Sequence, residues 1–160
     1  MSAIQVKMKS KIGPMYLVAS DKGLHGVFWK ETATPYRNKQ HQGRAVEILD
    51  EAQTQLEQYL DGQRKSFDLP LDVQGTSFQK QVWKELSKIP YGKTYSYSDI
   101  AKKIKNDKAV RAVGTANGRN PLSLIVPCHR VIAANGTLGG YAGGLSIKEK
   151  LLRLEQTGSL

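Results

Sequence analysis

"TSFQKQVWKELSKIPYGKTYSYSDIAKKIKNDKAVRAVGTANG", residues 76–118, is the stretch on which the fold turns. Thr76 and Gln79 have the spacing of a capping box, in which an N-cap hydroxyl and a side chain three residues on each satisfy an open backbone N–H. They start a helix whose apolar positions, Phe78, Val82, Trp83 and Leu86, recur at three- and four-residue steps. Pro90-Tyr91-Gly92 ends it. Two short helices follow, Ser98–Ile104 and Lys108–Gly118, with a break at Asn106-Asp107. Two short helices joined by a short turn have the outline of a helix-turn-helix. The second is nearly bare, since Ala109, Ala112, Gly114, Thr115, Ala116 and Gly118 are all small and Arg111 is the one long side chain near its middle. Glycine inside a helix costs about 1 kcal/mol relative to alanine. The bare surface therefore serves either tight packing against another helix or close approach to a groove.

Working outward, the charge follows the same division. Residues 1–75 carry 10 Lys and Arg against 9 Asp and Glu, whereas residues 76–160 carry 14 against 5, so nearly all of the formal +10 lies in the second half. Such a half attracts polyanions, nucleic acid first among them, with a merely solubilising basic surface as the alternative. With 39% hydrophobic and 24% charged residues the chain can bury a core. No basic segment followed by an apolar run opens it and no stretch approaches 18 apolar residues, which argues against secretion and a membrane span. The single cysteine rules out an internal disulfide framework and suits a reducing cytoplasm.

Upstream, "MYLVAS" and "LHGVFW" flank Asp21-Lys22-Gly23 as the arms of a hairpin. "ATPYRNKQHQGR" is polar loop. Ala45–Leu60 is a helix with Ile48, Leu49, Ala52, Leu56, Tyr59 and Leu60 on one stripe and Gly62 as its stop. "SFDLPL" is expected to form a short edge strand, since Pro70 cannot donate to a ladder. The composition changes around Asp72–Gly75, which divides the chain into a strand-rich domain, 1–74, and a second domain, 75–160. Near the end, Ser146 and Glu149 are expected to form another capping box, opening a helix with Ile147, Leu151 and Leu154 along one side.

Cys128 is either a small buried hydrophobe, as the preceding "LIV" suggests, or a nucleophile. Pro127 fixes the approach to it, His129 and Arg130 follow at once, and a glycine-rich run comes after. A thiol with the ordinary pKa of about 8.5 is little ionised at neutral pH, so a reactive one needs a base or positive surroundings. His129, Arg130, Arg119 and Lys148 are candidates, although adjacency alone does not make a Cys–His dyad.

"NPLSLIVPCHRVI" (120–132) and "GGYAGGLSIKEKLLRLE" (139–155) resemble the active-site region of the O6-alkylguanine-DNA alkyltransferases, the methylated-DNA–protein-cysteine methyltransferases. The Pro-Cys-His-Arg-Val string is the family's signature, and the resemblance runs through "SYSDIAKKI" and "AVRAVGTANGRNP", about residues 76–157. It implies an α+β fold, with a small ribonuclease-H-like N-terminal domain and a helical, winged helix-turn-helix-like C-terminal domain. It implies Cys128 as the alkyl acceptor, His129 as a base acting through a water, Glu155 as the carboxylate orienting it, and Asn120 as a hinge. On the DNA side it implies Tyr97 beside a flipped nucleotide and Arg111 as the finger filling the gap, on a recognition helix with Ala112, Gly114 and Thr115. Val131, Tyr141, Ala142, Gly143 and Lys148, with Tyr97, would form the base pocket or its rim.

The same resemblance implies single-use repair of O6-alkylguanine, and possibly O4-alkylthymine, in double-stranded DNA by a monomer without a cofactor. Two positions depart from the family pattern. Ala142 stands where some members have Ser, which is harmless if the contact there is a backbone N–H. Some members also hold zinc in the N-terminal domain, and one cysteine with His25 and His41 in unrelated contexts provides no such site. Two other readings remain: a DNA-lesion-binding protein without transfer activity, against which Cys128 itself counts, and a cysteine hydrolase using Cys128, His129 and Glu155. The hydrolase leaves the charge asymmetry and the helix pair unexplained.

Overall fold

The computed structural model describes residues 2–160, and the chain falls into two units that divide between Gln74 and Gly75. In the first, β1 (Ile4–Met8), β2 (Met15–Ser20) and β3 (Gly23–Phe28) form an antiparallel meander with β2 in the centre. The hairpin is where its sequence put it, with a register shift at Val18/Ala19. Helix α1 (Arg44–Leu60) packs on this sheet through the expected stripe, which also buries Gln55. The Gln55 amide holds both backbone groups of Asp68 (2.9 and 3.0 Å), so its burial is matched by hydrogen bonds that pin the polar segment after the helix. Gly62 follows the C-cap Asp61 with φ +76°, the left-handed stop its position suggested.

Residues 66–71 do not form the expected strand. Leu71 makes a single parallel bridge to Leu24, through Leu24 N–H to the Pro70 carbonyl (2.8 Å) and Asp72 N–H to the Leu24 carbonyl (2.9 Å). Pro70 supplies an acceptor and no donor, and the ladder stops at one rung. β1 has no counterpart in the expected elements, and its second residue is a buried glutamine: Gln5 donates to the carbonyls of Thr32 (2.9 Å) and Thr34 (2.5 Å).

The second unit opens with α2 (Ser77–Leu86), whose Thr76–Gln79 capping box is formed in both directions. Helices α3 (Tyr97–Lys103) and α4 (Val110–Gly118) are the pair read from the sequence, and both pack with α2. A Ser96–Asp99 capping box, not foreseen, starts α3 one residue early. Trp83, buried on α2, donates its indole N–H to the Ala116 carbonyl of α4 (2.8 Å) and fixes the two helices together. Two-residue strands β4 (Tyr95–Ser96) and β5 (Val131–Ile132) pair in parallel, bringing the start of α3 beside the cysteine segment.

Helix α5 (Leu145–Thr157) closes the unit and departs from expectation at its start. Its N-cap is Gly144 at φ +97°, with no side-chain cap, so Ser146 and Glu149 lie inside the helix and form no capping box. A glycine that turns the chain through positive φ starts the helix two residues before the serine could. Its inward face is Lys148, Leu151, Leu154 and Glu155, with Ile147 only half-buried.

The Thr76 cap sets where α2 begins, and through Trp83 the seat of α4. Thr76→Ala is expected to lower the unfolding free energy by about 1 kcal/mol, the usual value of an N-cap hydroxyl, measured as a lower urea midpoint at an unchanged slope.

Candidate active site

Pro127 leads into one turn of 3₁₀ helix, Cys128–Arg130, in which successive side chains point about 120° apart. The thiol faces a cavity, while His129 and Arg130 both reach Glu155 on α5. Asn120 braces the approach: its side-chain carbonyl accepts from Leu122 N–H (3.0 Å) and its amide donates to the Val126 carbonyl (2.8 Å). That clamp holds Leu124 at φ +69°, a left-handed conformation unfavourable for a branched residue by about 1–2 kcal/mol. Burial pushes the Cys128 thiol up from its ordinary pKa, while a hydrogen bond from Asn120 and the charge of Lys148 pull it down. The net shift is upward, so the resting sulfur is a protonated thiol.

Glu155 is the centre of the charged part of the site. Its Oε2 meets His129 Nε2 (2.7 Å) and Arg130 Nη2 (3.0 Å), and its Oε1 accepts from Arg130 Nε (2.8 Å) and Gly92 N–H (3.1 Å). A carboxylate receiving the arginine fork and a backbone N–H is ionised and can only accept, so His129 carries its proton on Nε2 and leaves Nδ1 as the basic nitrogen. Burial holds His129 below the ordinary histidine pKa against the pull of Glu155, so the ring is neutral at pH 7. Arg130 is anchored again by the Ile89 carbonyl (2.7 Å) and lies over the Tyr91 ring, 5.5 Å from its centroid.

The cavity beside the thiol measures about 220 Å³. Its α4 wall is Gly114, Asn117 and Gly118, and its opposite wall is Gly140, Tyr141 and Ala142. Tyr97 flanks it, with Asn120, Ser123 and Cys128 at the base. Gly139 is obligatory there, because at φ +72° a Cβ would lie 2.8 Å from the Tyr97 hydroxyl. Burial and the neighbouring thiol raise the Tyr97 pKa, so its hydroxyl is protonated at neutral pH. Val131, Gly143 and Lys148 are not among the residues that line the cavity itself, and each is joined to it through a neighbour in the chain or a hydrogen bond. Lys148 sits behind the loop, fully buried, with Nζ donating to the carbonyls of Val131 (2.7 Å), Gly140 (3.1 Å) and Leu138. Burial lowers its pKa to about 8.

Arg111, Ala112 and Thr115 occupy the exposed face of α4, while Gly114 looks into the cavity. Asn117 was missed: it shares the Gly114 side of the helix at three-residue spacing and donates to the Cys128 carbonyl (3.4 Å). Ser123, Gly118 and Gly140 were missed as lining residues, and Arg130 as the partner of Glu155. Among the described residues no group of three or more His, Cys, Asp or Glu could hold a metal ion, and no helix is long and apolar enough to cross a membrane.

Comparison with known proteins agrees over both units. The profile of the 6-O-methylguanine DNA methyltransferase DNA-binding domain matches residues 77–157, and that of the same family's ribonuclease-like domain matches residues 5–73. The chain is 52% identical over 153 residues to a methylated-DNA–protein-cysteine methyltransferase of Methanosarcina mazei, covering 93% of this chain and 94% of the relative. It is 50% identical over 131 residues to the constitutive protein of that name in Bacillus subtilis, covering 81% and 76% respectively. The crystal structure of Mycobacterium tuberculosis OGT in complex with DNA superposes with a TM-score of 0.83 at 41% identity, over 96% of this chain and 92% of that one.

Removing the buried carboxylate strands Arg130 and His129 together. Glu155→Ala is expected to cost about 3–5 kcal/mol, the usual penalty for breaking a buried ion pair from one side, read by chemical denaturation of the two proteins side by side.

Proposed function

Because the chain belongs to the 6-O-methylguanine DNA methyltransferase family, we propose that it repairs alkylated DNA by direct reversal, moving the alkyl group of an O6-alkylguanine onto its own Cys128. The observation that carries this reading is a lone buried thiol at the base of a cavity large enough for one nucleobase, beside a neutral histidine that a carboxylate holds in one tautomer. An alkylated base within a duplex is out of reach, so it must be extruded into the cavity first. The exposed face of α4 suits the DNA, being short-chained and carrying Arg111 to fill the space the base leaves. The net +9 of residues 76–160 supplies the sequence-independent part of the affinity.

In the reaction the Cys128 proton passes to His129 Nδ1 through a water, and Glu155 stabilises the imidazolium that forms. Sγ then displaces the alkyl carbon from O6: a C–S bond forms, the C–O bond breaks, and guanine leaves with the electron pair. The protonated Tyr97 hydroxyl, at the side of the cavity, is placed to donate to the departing base. Asn120 orders the cysteine segment, and Lys148 holds the loop whose Gly140, Tyr141 and Ala142 form the far wall. The protein acts as a monomer in the cytoplasm, where an unpaired cysteine stays reduced.

Incubation with excess O6-methylguanine duplex is expected to leave one repaired guanine per protein and one added methyl on the peptide containing Cys128, read by intact mass and peptide mapping. Cys128→Ala keeps DNA binding and gains no mass. A product count climbing past the protein concentration overturns single-use transfer, and a hydrolase leaves no adduct at all.

Arg111→Ala is expected to slow repair of the duplex by at least tenfold, or about 1.4 kcal/mol of barrier, while the rate with free O6-benzylguanine stays near wild type. Equal slowing on both substrates removes the assignment of Arg111 to the vacated base position.

A further inference from the structure

Arg130 is almost fully buried, does not line the cavity, and has all three of its guanidinium nitrogens hydrogen-bonded. Nε and Nη2 take both oxygens of Glu155, Nη1 takes the Ile89 carbonyl, and the guanidinium lies over Tyr91. Glu155 needs no arginine to orient His129, since one oxygen serves the ring and Gly92 N–H already holds the other. What the guanidinium adds is a second fixed cation on the carboxylate that serves the imidazole.

We propose that Arg130 is a positioning residue that tunes the basicity of His129: by sharing Glu155 it weakens the carboxylate's pull and adds to the burial that keeps the ring neutral and able to take the Cys128 proton at Nδ1 at physiological pH. This inference rests on His129 being the base in alkyl transfer.

The charged groups facing His129 are Glu155 and Lys148 from α5 and Arg130 from its own turn, and the Tyr91 phenol, after α2, borders Glu155 and Arg130. Burial is the main influence that holds the ring neutral, and Glu155 works against it by drawing a proton onto the ring, which would leave a histidinium–carboxylate pair unable to accept the thiol proton. Arg130 and Lys148 oppose that protonation, and only Arg130 is bonded to the same carboxylate. The fork also holds both oxygens in place, so Glu155 cannot rotate away from Nε2 as the ring changes charge.

The test is the single-turnover rate of methyl transfer from an O6-methylguanine duplex, measured between about pH 5 and 9, for wild type, Arg130→Gln and Arg130→Lys. Gln keeps polar contact without charge, and Lys keeps charge without the fork. A neighbouring charge moves a pKa by about one unit or more. For Arg130→Gln the midpoint of the acid limb is therefore expected to rise by about one unit, roughly a tenfold loss on the acid side that recovers at high pH. Arg130→Lys is expected to keep the wild-type midpoint whatever its plateau. A Gln midpoint unchanged from wild type, or Gln and Lys profiles that fall uniformly at every pH, would overturn the proposal. If the Gln variant does not fold, nitrogen NMR of wild-type His129 decides: a neutral ring protonated at Nε2 at neutral pH is expected, and an imidazolium there refutes it. His129→Gln separates the two readings. If His129→Gln reacts with the wild-type rate and profile, the base assignment itself fails. If it is slow and lacks the acid limb while Arg130→Gln leaves the midpoint in place, only the role of Arg130 is lost.

Discussion

The buried carboxylate of Glu155 is the interaction on which the second unit depends. Carried on α5, it takes four contacts from two other parts of the chain, one from Gly92 after α2 and three from the His129-Arg130 turn. An isolated carboxylate at that depth would be strongly penalised, and it is tolerated because every direction around it is filled by a donor. Those donors also fix where the cysteine turn sits. With His129 and Arg130 both drawn to α5, the 3₁₀ geometry leaves Cys128 one direction, into the cavity. Fold and chemistry thus share one ion pair, which makes the site costly to disturb and well defined when intact.

Around that centre, the walls of the cavity are held by backbone rather than by side-chain packing. Lys148 spends its ammonium on three carbonyls of the segment 131–140, and Gly139 gives the Tyr97 hydroxyl room. On the other side α4 presents Gly114 and Gly118, with Asn117 tied to the Cys128 carbonyl. A wall built this way stays open without a bulky side chain to collapse into it, at the expense of the helix stability that alanine would have given α4. Trp83 offsets part of that loss by anchoring the same helix through the Ala116 carbonyl.

The sequence carried the elements whose determinants are local. The stripes of α1 and α2, the Thr76–Gln79 box and the α3–α4 pair all follow from spacing within a few residues. Local pattern also misled: Ser146 and Glu149 have capping-box spacing, yet Gly144 starts the helix first. β1 does alternate, with Ile4, Val6 and Met8 against Gln5 and Lys7, but it is only five residues long, and nothing local signals that Gln5 is buried to hold a loop some thirty residues on. β4 and β5, two residues each, have no period to read. Within the site, the signature string pointed to the cysteine and its histidine. Nothing near Arg130 could announce that its partner is 25 residues away on another helix, nor that Lys148 would turn its charge to the loop rather than to the pocket.

The protonation states explain why a buried thiol suits this chemistry. Exposed, electropositive cysteines are ionised and open to oxidation and to stray electrophiles. Here desolvation keeps the sulfur protonated and the neighbouring ring neutral, so that on the proposed mechanism thiolate forms only as the proton passes to His129, with the substrate already in the cavity. The pull of Asn120 and Lys148 on the thiol is too weak to ionise it at rest and favours the anion once the proton has gone. Selectivity then comes from access, since only a group that fits the cavity lined by Tyr97, Gly114, Tyr141 and Ala142 reaches the sulfur. The product is a thioether, which lacks the leaving group that makes a thioester or a disulfide reversible. A second cysteine could not exchange with it, and the chain has none. An arrangement that shelters its nucleophile so fully, and supplies no route to recover it, fits a protein used once per lesion.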